Sequence, residues 1–373
     1  MPLPRLVLLA VLVLIGCSGG DRGAAAPASD RPFQVEALAT FDEPWAMTFL
    51  PDSGQALVTE KPGRLKLWTP GRPPIEVAGV PPVAYGGQGG LADIVLHPDF
   101  AQNRLVYLSY AEPGPGEASA GAVARARLTV ENGAARLDGF QVIWRQTPRM
   151  DGGQYALRIA FGPDRLLYIS SGERQHFEPA QDMGSNLGKI VRLNDDGTPA
   201  AGNPFAAQGG VAAQIWSLGH RNPLGLAFAP DGRLWEDEMG PRGGDELNLI
   251  LPGRNYGWPR ASNGSHYDGR DIPDHRPGDG FEAPQLWWNP SISPSSLIVY
   301  TGAMFPEWRG DALIGALSGQ ALIRARLRGG HAEKAGQWEM GARIREVEQG
   351  PDGSVYLLED GPGGRLLRLT PRR

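Results

Sequence analysis

The chain has 373 residues with 41% hydrophobic content, which is enough for two domains or for one large all-β domain. Its formal net charge is −5 and its basic residues are scattered, so nothing in its electrostatics favours binding to nucleic acid. The 52 glycines and 34 prolines exceed average usage, as expected where many short strands are joined by turns.

The first 16 residues predict a signal peptide. Arg5 precedes an apolar run over residues 6–15, which is too short to cross a bilayer as a helix of the mature protein. The run ends before Cys17 in a sequence that resembles the bacterial lipoprotein processing box, with Cys17 as the lipidated residue. A lone cysteine forms no intrachain disulfide, so the alternative is an inert residue of an ordinary cleaved signal.

Residues 17–32 are rich in Gly, Ala and Ser and predict a flexible tether that follows the lipidated cysteine. Ser18, directly after that cysteine, suits sorting to the outer membrane in lipoproteins of the familiar type. We therefore expect a protein of the bacterial periplasm that contacts the membrane through its lipid anchor only. The folded part is expected to cover residues 33–373.

That folded part repeats one pattern, an apolar strand, a Pro-Asp turn and a second apolar strand, which predicts a hairpin. The pattern occurs at residues 45–60, 91–110, 157–173, 224–238 and 344–360. The Pro-Asp pairs begin at positions 51, 98, 163, 230 and 351, so the last interval is about twice the others. A sixth unit with an altered turn fits that gap at residues 296–317. The repeat length predicts an all-β, six-bladed β-propeller, whereas a β-sandwich would lack a blade-length repeat.

Residues 219–259 contain the densest group of side chains that could bind a ligand or a metal ion. Arg221 and Asn222 put a guanidinium beside an amide, a Met-Gly-Pro turn contains Gly240, and Asp245 and Glu246 form an acidic pair. Arginine binds carboxylates through two parallel hydrogen bonds, and oxygen-rich turns bind Ca²⁺. The alternative is that these motifs are only tight turns between strands.

The stretch GHRNPLGLAF followed by EMGPRGGDELNLILPGRNYGWP resembles the soluble aldose sugar dehydrogenases of the glucose/sorbosone dehydrogenase family. Members use pyrroloquinoline quinone (PQQ) and calcium on a six-bladed propeller. The resemblance covers most of residues 44–369. It implies oxidation of C1 of an aldose sugar to the lactone by hydride transfer to the quinone, with an electron acceptor that the sequence does not identify.

The resemblance also implies which residues bind the cofactor. Gln88, in GGQGGLADIVLHPDF, matches a glutamine that contacts cofactor or substrate, and Arg221 and Asn222 match a cofactor-binding pair. Arg343 and Arg345, in ARIREV, match two arginines that hold the cofactor carboxylates. Residues i and i+2 of a strand point to the same face, so both guanidiniums can converge on one anion. The alternative is an exposed basic strand face.

The metal ligands are implied in the same way. Gly240 and Pro241 match a turn whose carbonyl oxygens bind the calcium at the cofactor. Glu246, with the backbone of Tyr256, resembles part of a second, structural calcium site. Asp245 matches an acidic residue of the active site.

Two positions depart from the family pattern. Gln154, in GGQYALRIAFGPD, stands where the family has the histidine that takes the proton of the C1 hydroxyl, and an amide cannot act as that base. Ser318 replaces a lysine that contacts the cofactor. The chain is therefore a slow enzyme in which Gln154→His would raise turnover, an enzyme with a relocated base such as His176, or a binding protein without turnover.

Three classes of function remain open from the sequence. The first is the quinone-dependent oxidoreductase, and the second is a non-catalytic quinone- or sugar-binding propeller. The third is a calcium-dependent lactonase-type hydrolase, which would need side-chain carboxylates and amides converging on a central ion. The predicted ion ligands are instead backbone carbonyls.

Overall fold

The structure is a computed structural model and describes residues 31–372, in which the regular secondary structure is almost entirely β-strand. The strands of this region are β1 (Phe33–Asp42), β2 (Pro44–Phe49), β3 (Ala56–Glu60), β4 (Arg64–Thr69), β5 (Arg72–Ala78), β6 (Leu91–Leu96), β7 (Leu105–Pro113), β8 (Ser119–Glu131), β9 (Ala134–Arg145), β10 (Ala156–Phe161), β11 (Leu167–Ser171), β12 (Lys189–Leu193), β13 (Ile215–Leu218), β14 (Pro223–Phe228), β15 (Leu234–Glu238), β16 (Asp245–Ile250), β17 (Leu286–Trp288), β18 (Pro294–Val299), β19 (Ala312–Ala316), β20 (Ala321–Arg328), β21 (His331–Glu339), β22 (Ile344–Gln349), β23 (Val355–Glu359) and β24 (Pro362–Pro371). The α-helix of this region is α1 (Phe100–Asn103), and 3-10 turns cover Glu178–Gln181, Ala206–Gln208, Ala212–Gln214 and Pro306–Trp308. The prediction of an all-β chain is confirmed.

The predicted signal peptide 1–16, Cys17 and residues 18–30 of the predicted tether lie outside the described residues. Within residues 31–372, no helix has the length and apolar character needed to span a membrane.

Every predicted strand–turn–strand unit forms an antiparallel hairpin: β2–β3, β6–β7, β10–β11, β14–β15, β22–β23 and the altered unit β18–β19. In three Pro-Asp turns the aspartate accepts the backbone N–H two residues later, at 3.1 Å for Asp164, 3.1 Å for Asp231 and 3.0 Å for Asp352. This side-chain bond stabilises the turn locally, which explains why the pattern was readable in the sequence.

The strands form four four-stranded sheets and one eight-stranded sheet. The eight-stranded sheet has the order β2-β3-β4-β5-β9-β8-β7-β6, so it consists of two four-stranded meanders joined edge to edge. The joint between β5 and β9 is parallel and short, with the residue pairs Val77 and Ala135, and Ala78 and Arg136. Separate four-stranded sheets were expected, and this joint is where the structure differs.

The first strand of each hairpin unit contacts the first strand of the next unit, in the closed sequence β2, β6, β10, β14, β18, β22 and back to β2. The chain ends meet in one sheet, because β1 pairs antiparallel with β24 over Phe33–Asp42 and so completes the sheet of β22 and β23. Main-chain hydrogen bonds thus connect the N-terminal strand to the C-terminal strands and close the ring.

The second strands β3, β11, β15, β19 and β23 are buried along their whole length, since both faces of each sheet are covered by neighbours. Their sequences are ALVTE, LYISS, LWEDE, ALIGA and VYLLE. Only β15 of these five holds three acidic residues. Burying charge is costly unless it is paired or bound to metal, so this strand differs from its equivalents for a reason other than packing.

Candidate active site

The first part of the site is a cavity of about 320 Å³ at the ends where the first strands of the units begin. It brings together four of the predicted residues, Gln88, Asn222, Arg343 and Arg345, which are far apart in sequence. Gln88 precedes β6, Asn222 precedes β14, and the two arginines lie at the start of β22. We call this space the arginine cavity. Its size falls within the range of small-molecule pockets.

Both arginines of this cavity bind one carboxylate, that of Asp360. Arg343 Nε donates to Asp360 Oδ2 at 2.8 Å, and Arg345 Nε donates to Asp360 Oδ1 at 2.9 Å. Burial favours the protonated acid, but the two guanidiniums outweigh it and hold the pKa of Asp360 below its ordinary value. The expected convergence of the two guanidiniums on one anion is therefore present, with a protein carboxylate as the anion.

The wall of the arginine cavity carries a further cation, Lys61. Lys61 Nζ donates to the carbonyl oxygen of Gly87 at 3.0 Å and lies 3.5 Å from Glu43 Oε2. Ser318, by contrast, is exposed, and its Oγ lies 2.8 Å from the Oγ of Ser293, a residue that lines the cavity. The structure thus places Ser318 behind the rim rather than on the cavity wall.

A second cavity, of about 260 Å³, adjoins the first, and we call it the glutamine cavity. Gln154, Glu173, Arg221, His266 and Tyr267 line it. The main-chain N–H of Gln154 donates to Gln88 Oε1 at 2.7 Å, so one hydrogen bond connects the walls of the two cavities. With its amide nitrogen toward Glu173, the Gln154 side chain donates to that carboxylate and accepts from Arg221 Nη2 at 2.7 Å. Gln154 is therefore held on both sides.

Glu173 is fully buried behind Gln154. Its Oε2 accepts the main-chain N–H of Phe177 at 2.6 Å, and its Oε1 faces the Gln154 amide. Burial raises the pKa of Glu173, while the N–H of Phe177 and the charge of Arg221 act in the opposite direction. Both oxygens of this carboxylate are already engaged.

Arg221 connects the glutamine cavity to the predicted calcium turn. Its Nη1 donates to the carbonyl oxygens of Met239, at 2.9 Å, and Gly240, at 2.7 Å. Glu238 holds the arginine's backbone, because its Oε2 accepts the N–H groups of Arg221 at 2.5 Å and Asn222 at 3.2 Å. The carbonyl oxygens of this turn thus already face a cationic group.

The predicted calcium turn is tightly folded, and hydrogen bonds to Asp245 hold it in place. A Cβ atom at Gly240 would clash with the carbonyl oxygens of Gly243 and Gly244, so only glycine fits there. Asp245 accepts the N–H of Gly240 at 2.8 Å and that of Ile292 at 2.7 Å. Asp245 is fully buried and lines neither cavity, so the structure places it as a support for the turn. Pro241 lines the glutamine cavity.

A cluster of buried carboxylates lies beside this turn, and we call Glu236, Glu238, Glu246, Asn248 and His220 the glutamate cluster. Asn248 Nδ2 donates to Glu236 at 3.0 Å, Glu246 at 3.2 Å and Glu238 at 3.4 Å. Ligand atoms of His220, Glu236 and Glu238 all lie within 4.8 Å of one another. Burial, followed by the charge of Glu238, raises the pKa of both Glu236 and Glu246.

The glutamate cluster has little positive charge near it. Within residues 31–372 its ion-pair partners are histidines, with His220 Nδ1 3.2 Å from Glu238 and His275 Nε2 3.8 Å from Glu246. Glu236 Oε1 and Asn248 Oδ1 are buried without a hydrogen-bond partner. Oxygen atoms that are buried and unpartnered are the donors that a hard cation requires.

A small cavity of about 10 Å³, room for one water-sized particle, lies between this cluster and the calcium turn. Glu238, Gly240, Glu246 and Tyr256 are among its lining residues. The phenol of Tyr256 is engaged elsewhere, since it donates to the carbonyl oxygen of Leu249 at 2.5 Å. The phenol is therefore not available to an ion, and the role expected for the backbone of Tyr256 stays a prediction.

His176, the predicted relocated base, lies outside both cavities. Its Nε2 is 2.8 Å from Asp151 Oδ1, and its side chain is 34% exposed. The arrangement is that of a surface ion pair, because both residues point toward solvent.

Sequence reasoning missed several residues of the site. Glu236 and Glu238 alternate on β15, and Glu246 and Asn248 on β16, so the two-residue period of a strand could have placed all four on one face. Asp360 ends the hairpin predicted over residues 344–360, and the pairing of β22 with β23 brings it opposite Arg343, so that hairpin could have placed it at the site. The loop residues Glu173, His266 and Tyr267 had no local pattern.

The chain is similar to proteins of one known family. Residues 41–368 match the family model described as Glucose / Sorbosone dehydrogenase. The chain belongs to this family. The resemblance identified from the sequence motifs is confirmed.

The relatives agree with that assignment over nearly the full length. Aldose sugar dehydrogenase YliI of Escherichia coli K12 is 40% identical over 357 residues, which cover 93% of this chain and 95% of the relative. The crystal structure of the soluble aldose sugar dehydrogenase of Escherichia coli in its apo form has a TM-score of 0.86 and covers 91% of this chain and 100% of its own. The PQQ-bound aldose sugar dehydrogenase of Streptomyces coelicolor, 29% identical, has a TM-score of 0.75 and covers 91% of this chain and 98% of its own.

Proposed function

We propose that this protein is a PQQ-dependent aldose sugar dehydrogenase that oxidises C1 of an aldose to the lactone. The observation that carries the proposal is the arginine cavity, where Gln88, Asn222, Arg343 and Arg345 meet although they are scattered over the sequence. An exposed basic strand face, the alternative reading of the two arginines, would not produce a cavity.

The residues of the arginine cavity fit the cofactor by charge. PQQ carries three carboxylates, and guanidinium groups compensate the cost of removing carboxylates from water. Arg343 and Arg345 would exchange Asp360 for a cofactor carboxylate or share the two anions, while Asn222 and Gln88 supply neutral hydrogen bonds. Bound there, the quinone would supply the two-electron acceptor for the hydride of C1.

The Gly240–Pro241 turn fits the calcium ion at the cofactor. The turn offers carbonyl oxygens, which are among the ligands that Ca²⁺ prefers. The guanidinium of Arg221 already donates a hydrogen bond to the carbonyl oxygen of Gly240. Calcium would take that carbonyl and free the guanidinium of Arg221 for an anionic ligand. An ion at this position would polarise a bound quinone as a Lewis acid.

A second calcium ion fits the small cavity between Glu238, Glu246 and Tyr256. Three buried carboxylates repel one another there, with burial raising the pKa of Glu236 and Glu246, and a divalent cation would relieve that repulsion. Glu246 and the backbone of Tyr256 were implied as its ligands, and the cluster adds Glu238 and Glu236 as further oxygen donors.

A second candidate function is a quinone- or sugar-binding propeller without turnover. The observation in its favour is Gln154, which is held between Glu173 and Arg221 and has no basicity to accept the C1 hydroxyl proton. Ser318, which lies behind the cavity rim, is the other departure in its favour.

The deciding experiment is dye-linked aldose oxidation by the protein supplied with PQQ and Ca²⁺. We expect turnover that requires both additions, together with a change in the quinone absorbance on binding. Quinone binding without turnover on a panel of aldoses would leave the binding propeller as the function. Absence of quinone binding would contradict both.

The fold supports a six-bladed propeller, with the eight-stranded sheet counted as two blades. The ring of first strands has six members, and the β5–β9 joint involves only two residue pairs at the outer edge. A propeller of this kind gathers its functional loops around one end of the ring, where the arginine cavity lies.

We also propose that the protein is a periplasmic lipoprotein of the outer membrane, anchored at Cys17. The support is the apolar run of residues 6–15 followed by the processing box. Cys17→Ser should move the protein out of the detergent-extracted membrane fraction, and unchanged fractionation would exclude the anchor. The electron acceptor is a separate partner that the site does not identify.

A further inference from the structure

The glutamine cavity contains a histidine that the sequence argument did not connect with Gln154. His266 lines this cavity together with Gln154, Glu173 and Arg221, on a loop between β16 and β17. Arg221 connects the two walls, because its Nη2 faces both the Gln154 amide at 2.7 Å and Tyr267 Oη at 3.3 Å. Tyr267 is the chain neighbour of His266.

The loop holds the His266 ring in a defined place. The N–H of His266 donates to the carbonyl oxygen of Arg270 at 2.9 Å, and Ser265 exchanges backbone hydrogen bonds with Arg242 at 3.0 and 3.2 Å. The imidazole ring packs edge-to-face on Phe177, with 5.8 Å between ring centroids, and lies 6.4 Å from Trp258. The ring is thus fixed by aromatic contacts that leave its nitrogen atoms unused.

His266 differs from the other five histidines in its partners. Within residues 31–372, neither ring nitrogen of His266 has a hydrogen-bond or ion-pair partner. Each of the others faces a carboxylate or an amide: His97 with Asp195, His176 with Asp151, His220 with Glu238, His275 with Glu246 and Asp279, and His331 with Gln285. A free nitrogen is the requirement for a group that is to accept a proton from a ligand.

We propose that His266 is the general base of this protein and accepts the proton of the C1 hydroxyl, in place of the histidine missing at position 154. This inference rests on the proposed function. The O–H bond of the sugar breaks and its proton moves to an imidazole nitrogen of His266, while the C1–H bond breaks and its electron pair leaves as hydride to the quinone. The C1–O bond becomes double, which yields the lactone, and the imidazolium returns its proton to water.

Gln154 and Glu173 have other roles in this arrangement. The Gln154 amide is held between Glu173 and Arg221 and can orient a hydroxyl group without taking its proton. Glu173 lines the same cavity, but both of its oxygens already accept hydrogen bonds. His266 is half-buried and lines the cavity with its ring nitrogens unused, so it has the free acceptor that Glu173 lacks.

Two acidic and three basic side chains surround His266. They are Glu173 and Arg221 across the cavity, Asp268 and Arg270 in its own loop, and Arg242 beside the loop. Because only a neutral imidazole accepts a proton, aldose oxidation should fall in acidic solution.

The test compares wild type with His266→Gln at saturating PQQ and Ca²⁺, with His331→Gln as a matched control on the exposed strand β21. We expect His266→Gln to lower aldose oxidation by about 10²-fold or more and to leave quinone binding unchanged. Added imidazole should restore part of the rate in His266→Ala, which loss of a merely structural contact would not permit.

A second readout needs no turnover. In the protein without cofactor, an aldose should protect His266 from carbethoxylation, measured by mass spectrometry, while His331 stays reactive. Wild-type turnover that persists in His266→Gln would overturn the inference and leave the proposed function standing. Loss in His176→Gln or Glu173→Gln alone would assign the proton to that residue instead. A wild type that binds quinone but oxidises no aldose would overturn the proposed function and this role together.

Discussion

The arginine cavity and the glutamate cluster handle charge in opposite ways. In the cavity, Arg343 and Arg345 share the carboxylate of Asp360, so the charges are paired before any ligand arrives. In the cluster, Glu236, Glu238 and Glu246 meet around one amide, with histidines as their ion-pair partners within residues 31–372.

The difference shows what each region requires from a ligand. An anion that enters the arginine cavity competes with Asp360 for the two arginines. Its binding free energy is therefore the difference between the new ion pair and the one that it replaces. A cation that enters the glutamate cluster displaces no other cation and relieves repulsion between buried carboxylates. The cavity is therefore expected to bind its ligand reversibly, whereas the cluster is expected to depend on its ion for stability.

The largest effect is expected from removing the cationic side of the cavity. Arg343→Ala combined with Arg345→Ala should weaken PQQ binding by about 10²–10⁴-fold, since each charge-assisted hydrogen bond contributes roughly 1.5–3 kcal/mol. Titration of the quinone absorbance measures this. Lysine at both positions should restore binding only in part, because the two-pronged geometry is lost.

A matched control removes two exposed arginines, Arg136 and Arg326, whose side chains are 51% and 41% exposed. That variant should bind quinone like the wild type. Wild-type affinity in the Arg343 and Arg345 double variant would mean that the cofactor does not bind in the arginine cavity.

The next effect concerns the glutamine cavity, which adjoins the arginine cavity through the Gln88–Gln154 hydrogen bond. In a His266→Gln background, Gln154→His should raise the aldose-dependent rate at least about tenfold, because it places an imidazole at the family position. In the wild-type background the same substitution should change the rate little, since His266 already serves as base. Steady-state rates measured at constant quinone saturation test both statements. Equal gains in the two backgrounds would contradict the role of His266.

A smaller effect is expected from the ion of the glutamate cluster. If the cluster binds calcium at about 100 times its dissociation constant, removal with a chelator costs about 2.7 kcal/mol and lowers Tm by about 5 °C. Glu236→Gln combined with Glu246→Gln should lose this dependence and melt higher than the chelated wild type, because the amides do not repel one another.

The control for this experiment replaces the exposed Glu76 and Glu131, whose side chains are 63% and 65% exposed. It should keep the full calcium dependence measured by thermal unfolding. A chelator that leaves the Tm of the wild type unchanged would show that the cluster stabilises itself by protonation instead.

The smallest effect concerns a third arrangement of buried charge, in which one guanidinium faces two carboxylates. Arg158 Nη2 lies 2.6 Å from Glu346 and its Nη1 lies 3.4 Å from Asp93. Burial raises the pKa of Glu346 to about 8 although Arg158 acts in the opposite direction. One carboxylate then balances the guanidinium, and the other keeps its proton.

This arrangement sets the sign of a pH dependence. The folded protein holds the proton on Glu346 up to about pH 8, whereas the unfolded chain loses it near pH 4.3, the ordinary glutamate value, so the contribution to stability is complete below that value and is lost as pH rises through about 8. Glu346→Gln should therefore lose less stability between pH 5 and 9 than the wild type, measured by urea unfolding. Replacement of the exposed Glu333 by Gln should leave the slope unchanged, and an unchanged slope in Glu346→Gln would contradict the assignment.

The sequence by itself determined those features that are encoded within a few neighbouring residues. The Pro-Asp hairpins were predictable because the aspartates of the turns, such as Asp164 and Asp352, bond to backbone two positions away. The motif at residues 219–259 identified the family because its side chains support one local turn and so lie close together in the sequence. Strand alternation likewise allowed Arg343 and Arg345 to be placed on one side.

Only the tertiary structure decided which distant loops meet. His266 rather than His176 lines the cavity of Gln154. The joint between β5 and β9 likewise depends on how two neighbouring meanders approach each other. Closure of the ring brings Gln154 and His266 into one cavity although they lie more than 100 positions apart, and a local sequence pattern carries no information about such proximity.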